Sequence, residues 1–201
     1  MHAQGSVEWF QERCGRATAS RFKDVLAKIK SGEAATRRNY RAQLVVERLT
    51  QLAQETYSNA AMQYGTETEP QARAAYEFKT DNAVEEVGFI QHSDLLAGCS
   101  PDGLIGADGG IEIKCPFQSA VHIDTLLTGM PSEHMAQIQG SMWITGRQWW
   151  DFVSYDGRLP AHLQLHVERI ERNGQYITAL EADILAFLDE VSETVKKLEA
   201  L

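Results

Sequence analysis

The chain has 201 residues, 43% of them hydrophobic and 23% charged, a size and balance that fit one compact domain over residues 1–201 with a core that needs no disulfides. Its formal net charge of −9 weighs against broad, non-specific nucleic-acid binding, which rests on Lys and Arg neutralising phosphates. No charge-free run is long enough to span a bilayer, the N-terminus has neither a basic start nor an apolar stretch, and three widely spaced cysteines, Cys14, Cys99 and Cys115, fit free thiols and exclude a four-cysteine cluster. A cytoplasmic protein is expected.

Arg13, Arg16, Arg21, Lys23, Lys28, Lys30, Arg37, Arg38 and Arg41 make the N-terminal part locally basic, while the acidic excess lies elsewhere, including the C-terminal helix. Phe22, Val25, Leu26 and Ile29 recur at helical spacing, so Ser20 to Ile29 reads as an amphipathic helix with Thr18 as N-cap and Ser31-Gly32 as its stop. A second helix is expected from about Thr36 to Gln54. A third follows Gly65, capped by Thr66 or Thr68, which puts Glu69 at a helix start and Pro70 in or just past the first turn. Val84 to Gln91, Leu96 to Cys99, Asp102 to Ile105 and Ile111 to Lys114 read as short strands of an antiparallel sheet separated by Gly and Asp turns. Helices resume at roughly Ser119 to Leu127 and Ser132 to Ile144. Strands follow at Trp149 to Tyr155 and around Leu163, Leu165 and Val167, and a helix from about Gln175 to Leu198 comes last.

The most informative stretch is Ser100-Pro101-Asp102-Gly103-Leu104-Ile105, a turn over Gly106 to Gly110, then Ile111-Glu112-Ile113-Lys114-Cys115-Pro116. It reads as a β-hairpin. Because side chains alternate faces, Ile111 and Ile113 point to a core while Glu112 and Lys114 project together from the other face, about 7 Å apart. Folding the hairpin brings Asp102 opposite a position between Glu112 and Cys115, the register being open. Two converging carboxylates make a hard-oxygen site suited to Mg²⁺, with Mn²⁺ as a substitute. A nearby lysine adds what phosphodiester hydrolysis needs: a cation to position water or offset added negative charge. The plainer reading of Glu-x-Lys on a strand is a solvated face; Pro101 and Gly103 flanking Asp102 argue for the tighter geometry of a site.

Several blocks in order carry a resemblance: Arg13-Cys14-Gly15 with Thr18-Ala19-Ser20, Tyr64-Gly65 with Glu69 and Ala72-Arg73, Cys99 to Leu104, Glu112 to Phe117, and Met135 to Gln139. They are similar to the lambda-type (YqaJ-like) phage exonucleases, a viral recombinase family of the PD-(D/E)xK nuclease superfamily. The resemblance implies an α/β (α+β) nuclease core, a central mixed β-sheet flanked by helices. It implies metal ligation by Asp102 and Glu112 with the Ile113 carbonyl as a third donor, water positioning by Lys114, help from Glu69, and Gln137 lining the site. Arg13, Ser20 and Ser100 would hold the 5′-phosphate of the degraded strand, a role for which an Arg fork with hydroxyl donors is chemically apt. A Mg²⁺-dependent 5′-to-3′ exonuclease on linear duplex DNA is then expected, leaving 3′ tails for single-strand annealing recombination. It would act as a homotrimer on double-stranded DNA ends with an annealing protein as partner and no membrane, a phage or prophage protein in a bacterial host. Against the longer lambda-type enzymes the termini are short, and so is the segment Thr128 to Glu133.

Two other readings are open: an endonuclease of the restriction or junction-resolving type, and a non-catalytic DNA-end or recombination scaffold. Trp9, Trp143, Trp149 and Trp150 are expected in core packing or a subunit interface rather than stacked on bases. His134 reads as a helix-surface residue, and His122, His162 and His166 are given no role. Cys115 is expected to point with Ile113 to the core. Without the resemblance, Glu69 would be a carboxylate favoured by a helix dipole.

Overall fold

In a computed structural model, residues 2–54 and 59–201 are described. The elements in order are α1 (Val7–Arg13), β1 (Ala17–Thr18), α2 (Phe22–Val25), α3 (Ala35–Thr50), α4 (Ala60–Thr80), β2 (Ile90–Gln91), β3 (Ala97–Cys99), β4 (Gly103–Ile105), β5 (Gly109–Lys114), α5 (Ser119–Thr128), α6 (Met135–Thr145), β6 (Trp149–Tyr155), β7 (Leu165–Glu171) and α7 (Gly174–Glu199).

The strands form two sheets, a small one in the order β1-β3-β2 and a four-stranded one in the order β4-β5-β6-β7. The larger sheet is mixed: β4 and β7 run antiparallel to their neighbours, whereas β5 and β6 are parallel. A parallel pair needs a crossover, here supplied by α5 and α6. One face of β5 and β6, with Ile111, Ile113, Val153 and Tyr155, packs under Ala72 and Tyr76 of α4. The opposite face, with Trp150 and Phe152, packs on Ile138 and Met142 of α6 and Ile177 of α7. A third cluster joins the small sheet to α2, α3 and α7 through Phe22, Tyr40, Leu44, Ile184 and Phe187. Gly140 of α6 lets Phe22 approach so closely that a Cβ there would lie 2.5 Å from its ring.

Several expected boundaries move. The helix expected over Ser20 to Ile29 shrinks to a 3-10 turn at 19–21 and the single turn of α2. Ile29, the last residue of the apolar stripe, is 56% exposed, so extending the helix would bury nothing. Helix α3 stops at Thr50, because Gln51 adopts a left-handed φ of 59°. Helix α4 starts six to eight residues earlier than its proposed caps: the Asn59 side chain accepts from the Met62 N–H, and Pro70 lies inside. Glu69 is therefore a mid-helix residue, out of reach of the N-terminal dipole. The expected strand over Val84 to Gln91 reduces to β2 and an isolated antiparallel bridge between Glu85 and Leu104. The stretch expected as one antiparallel sheet is thus divided, β2 and β3 in one sheet and β4 and β5 in the other.

The basic N-terminal part is neutralised in part. Arg37 and Arg41 share Glu33 and Glu190, Arg21 pairs with Asp24, and Lys23 with Glu133. Among the described residues no helix is long and apolar enough to cross a membrane.

Candidate active site

The β4–β5 hairpin fixes the register that alternation alone left open. Gly103 pairs with Ile111, so Asp102, one residue before β4, falls beside Glu112. Its Oδ2 accepts a 2.6 Å bond from the Ile113 N–H. In a strand the N–H and C=O of one residue point to the same edge; the Ile113 carbonyl therefore faces the Asp102 side, beyond the end of β4.

Glu112 is only 2% exposed. Its Oε1 accepts from Lys114 Nζ at 2.6 Å and from Gln137 Nε2 at 2.7 Å, while its Oε2 is buried and finds no partner among the described residues. Gln137 and Lys114 thus fix the carboxylate by one oxygen and leave the other bare, a costly state for a buried anion. Asp102 keeps a partial opening to solvent but is held well above the usual aspartate range by burial, by Glu112 and by Glu69. Glu69, on α4, is likewise raised, by burial first, with Arg73 opposing at 2.7 Å and Glu112 adding to the rise. Burial acts to lower Lys114, but Glu112 and Asp102 more than offset it and the ammonium is strengthened.

Three carboxylates against Lys114 and Arg73 leave the locus short of positive charge. Among the described residues no three His, Cys, Asp or Glu side chains form a ready-made metal cage. The donor set nonetheless fits a small hard cation, which commonly takes one or two carboxylates and completes its shell with carbonyl oxygen and water. The unpartnered Glu112 Oε2 is the oxygen such an ion would satisfy.

Beside this cluster, Arg13 at the end of α1 donates from Nη1 to Ser100 Oγ at 2.9 Å, and Trp9 Nε1 donates to the same oxygen at 3.0 Å. The guanidinium lies 4.1 Å from the Trp9 ring, and burial lowers its pKa. Among the described residues it forms no ion pair, so its charge is half-buried and uncompensated. The turn that carries it is gripped by α3: Gly15 N–H donates to Glu47 Oε2 at 2.7 Å and Gly15 O accepts from Arg48 Nε at 2.9 Å. Gly15 has φ +70°, a left-handed conformation glycine adopts freely.

Of the expected site residues, Asp102, Glu112, Ile113, Lys114 and Gln137 come together, Glu69 sits within their electrostatic reach, and Arg13 and Ser100 touch. Ser20 is exposed, and among the described residues its hydroxyl meets that of Thr18 alone, Oγ to Oγ at 3.4 Å. His134, expected on the surface, instead stacks on Phe152 with ring centroids 5.3 Å apart, and burial, with Lys114 adding, lowers its pKa to about 4. Its position in a 3-10 turn before α6, rather than on a helix face, explains the difference. His122 is fully buried and satisfied by Ser154 and the Leu163 carbonyl. A second arginine emerges that no motif marked. Arg158, held by the buried Asp156, donates to the carbonyls of Pro116 and Phe117 just after Lys114 and lies 4.9 Å from the Tyr64 ring. Its only sequence signal was the spacing Asp156-x-Arg158.

A mixed sheet between helices with Asp, Glu-x-Lys at the β4–β5 hairpin defines the PD-(D/E)xK nuclease fold. The chain belongs to the YqaJ-like viral recombinase family, whose model matches residues 8–148. It is 48% identical to an alkaline exonuclease from Laribacter hongkongensis (LHK-Exo), over 97% of both chains with a TM-score of 0.89; the same enzyme in complex with dAMP gives 0.90. A phage-related exonuclease from Haemophilus somnus 129PT shares the fold at 14% identity, with a TM-score of 0.69 over 91% of this chain and 96% of that one. The ExoD protein of Escherichia coli (strain K12) is 34% identical over 67 residues, 33% of this chain and 76% of that protein.

Proposed function

We propose that this chain is a divalent-metal-dependent deoxyribonuclease that degrades one strand of linear duplex DNA from its 5′ end, leaving 3′ single-stranded tails for annealing-type recombination. The observation that carries the reading is the carboxylate cluster at Asp102 and Glu112, with one buried oxygen bare, beside Lys114. Family membership and the similarity to LHK-Exo support a recombination exonuclease.

Asp102, Glu112 and the Ile113 carbonyl would hold Mg²⁺, with Mn²⁺ as a substitute; a bound cation supplies polarisation of the phosphoryl oxygen and a more acidic attacking water. Gln137 and Lys114 keep Glu112 from rotating its bare oxygen away. The Lys114 ammonium orients the water and offsets the negative charge that builds on the phosphate oxygens. Glu69 adds negative charge at the edge of the site, and Arg73 restrains it. Arg13, with Ser100 as its hydroxyl neighbour, binds the terminal 5′-phosphate and makes the reaction end-dependent; Ser20 joins it only by turning its exposed hydroxyl inward. A homotrimer on DNA ends and a single-strand annealing protein as partner belong to the same reading.

The test is digestion of linear duplex DNA in Mg²⁺, comparing 5′-phosphorylated with 5′-hydroxyl ends, a closed circle and the Lys114→Ala variant. Loss of one strand from free ends, faster with a 5′-phosphate and absent in the variant, is expected. Cutting of the circle would replace the reading with an endonuclease, and intact linear DNA with a non-catalytic scaffold.

A further inference from the structure

A cavity of about 220 Å³ begins at Lys114 and extends away from Asp102, between β6, α5 and the turn before α6. The order β4-β5-β6 puts it on one side of the catalytic strand, with Ser100 and the Arg13 pocket, next to β4, on the other. A DNA strand anchored at Arg13 and crossing β5 at the reacting phosphate reaches this cavity with its next nucleotide.

Away from Lys114 the lining suits the flat, apolar faces of a base. The His134 ring stacks on Phe152, and its depressed pKa, about 4, leaves the imidazole uncharged at neutral pH. Val121 and Pro131 add apolar wall. Glu133 lies at the rim, where Lys23 pairs with it at 3.0 Å.

Two hydroxyls lie in the wall. Thr125 Oγ1 donates to the Val121 carbonyl at 3.0 Å and so turns only lone pairs to the cavity. Ser154 Oγ shares a 2.7 Å bond with His122 Nδ1, whose other ring nitrogen faces the Leu163 carbonyl. Every DNA base has an N–H on its pairing edge, so an acceptor here accommodates all four without choosing.

Resting on the nuclease reading above, we propose that this cavity holds the base of the second nucleotide of the degraded strand, on the 3′ side of the cut bond, by stacking without reading its identity.

The probe is a 5′-phosphorylated duplex carrying 2-aminopurine at the first or second nucleotide, bound in Ca²⁺, with emission as readout. Quenching at the second position only is expected, lost in Val121→Trp, which fills the cavity from an exposed helix position. His134→Ala removes the ring without adding bulk and gives the same loss. In Mg²⁺, an abasic second nucleotide slows wild-type digestion on the order of tenfold, and Val121→Trp slows the intact duplex alike but the abasic one no further. Quenching at the first position, no quenching at the second, or equal slowing of both duplexes by Val121→Trp would overturn the proposal. Quenching without digestion would remove the nuclease reading and keep the cavity, digestion without quenching the reverse, and absence of binding would remove both.

Discussion

Replacing Asp102 by Asn should abolish digestion and stabilise the metal-free protein. Asn keeps an acceptor for the 2.6 Å bond from the Ile113 N–H but removes a carboxylate whose proton affinity is raised by burial, Glu112 and Glu69. A carboxylate raised in the folded state contributes stability that is present below its unfolded pKa and is lost as pH rises through the folded value. At neutral pH the wild type has therefore lost it, and Asn restores it. Removing one ionised carboxylate from this crowded cluster is expected to give a gain of about 1–2 kcal/mol, an ordinary size for a single substitution. For a chain of this size that raises the unfolding midpoint by about 2–8 °C. The assay is thermal unfolding by circular dichroism in EDTA, at neutral pH and in acid buffer; because the shift is upward, the advantage of Asn should shrink as the pH falls. Mg²⁺ at saturating concentration should narrow the gap at neutral pH by stabilising the wild type selectively. A midpoint in EDTA at neutral pH that is unchanged or lowered by Asp102→Asn would refute the account of a cluster strained by its own charge.

Gln137→Ala removes the 2.7 Å bond that holds Glu112 Oε1; turnover should fall about 10–100-fold with a higher Mg²⁺ requirement, as a metal titration of the rate would show. Arg13→Ala should erase the preference for 5′-phosphate over 5′-hydroxyl ends, and Arg13→Lys should restore it only in part, because an ammonium lacks the fork that binds two oxygens; paired rate measurements on the two ends decide this. Gly140→Ala puts a methyl group 2.5 Å from Phe22 Cδ2 and should cost roughly 1–3 kcal/mol in urea unfolding.

The hairpin was legible because alternation and turn residues are local. Ile111 and Ile113 had to share one face and Glu112 and Lys114 the other, and only the register with Asp102 awaited the pairing of Gly103 with Ile111. What stayed hidden depends on packing. Nothing near Pro70 announced that α4 begins at Ala60, since a proline inside a helix is tolerated only when neighbouring contacts hold the helix together, as Ala72 and Tyr76 do against the sheet. The apolar stripe through Ile29 promised a helix that no partner surface rewards. His134 was unreadable for the same reason: its stacking partner Phe152 lies 18 residues away across the β5–β6 crossover. Ser20 carried a role by resemblance alone, and its exposed hydroxyl leaves that role to the test of 5′-end preference.

Ser100 and Asp102 stand two residues apart, one bonded to Arg13 and the other beside Glu112. Two peptide units therefore join the residue that holds the Arg13 anchor to the one beside the place of cutting, and covalent bonds limit the separation of these two backbone positions to about 7 Å. In the proposed function this short tether acts as a ruler. It is comparable to the distance between neighbouring phosphates of one strand, so the enzyme would advance by one nucleotide per cut, and lengthening the Ser100–Asp102 link would change the size of the product rather than simply the rate of its release.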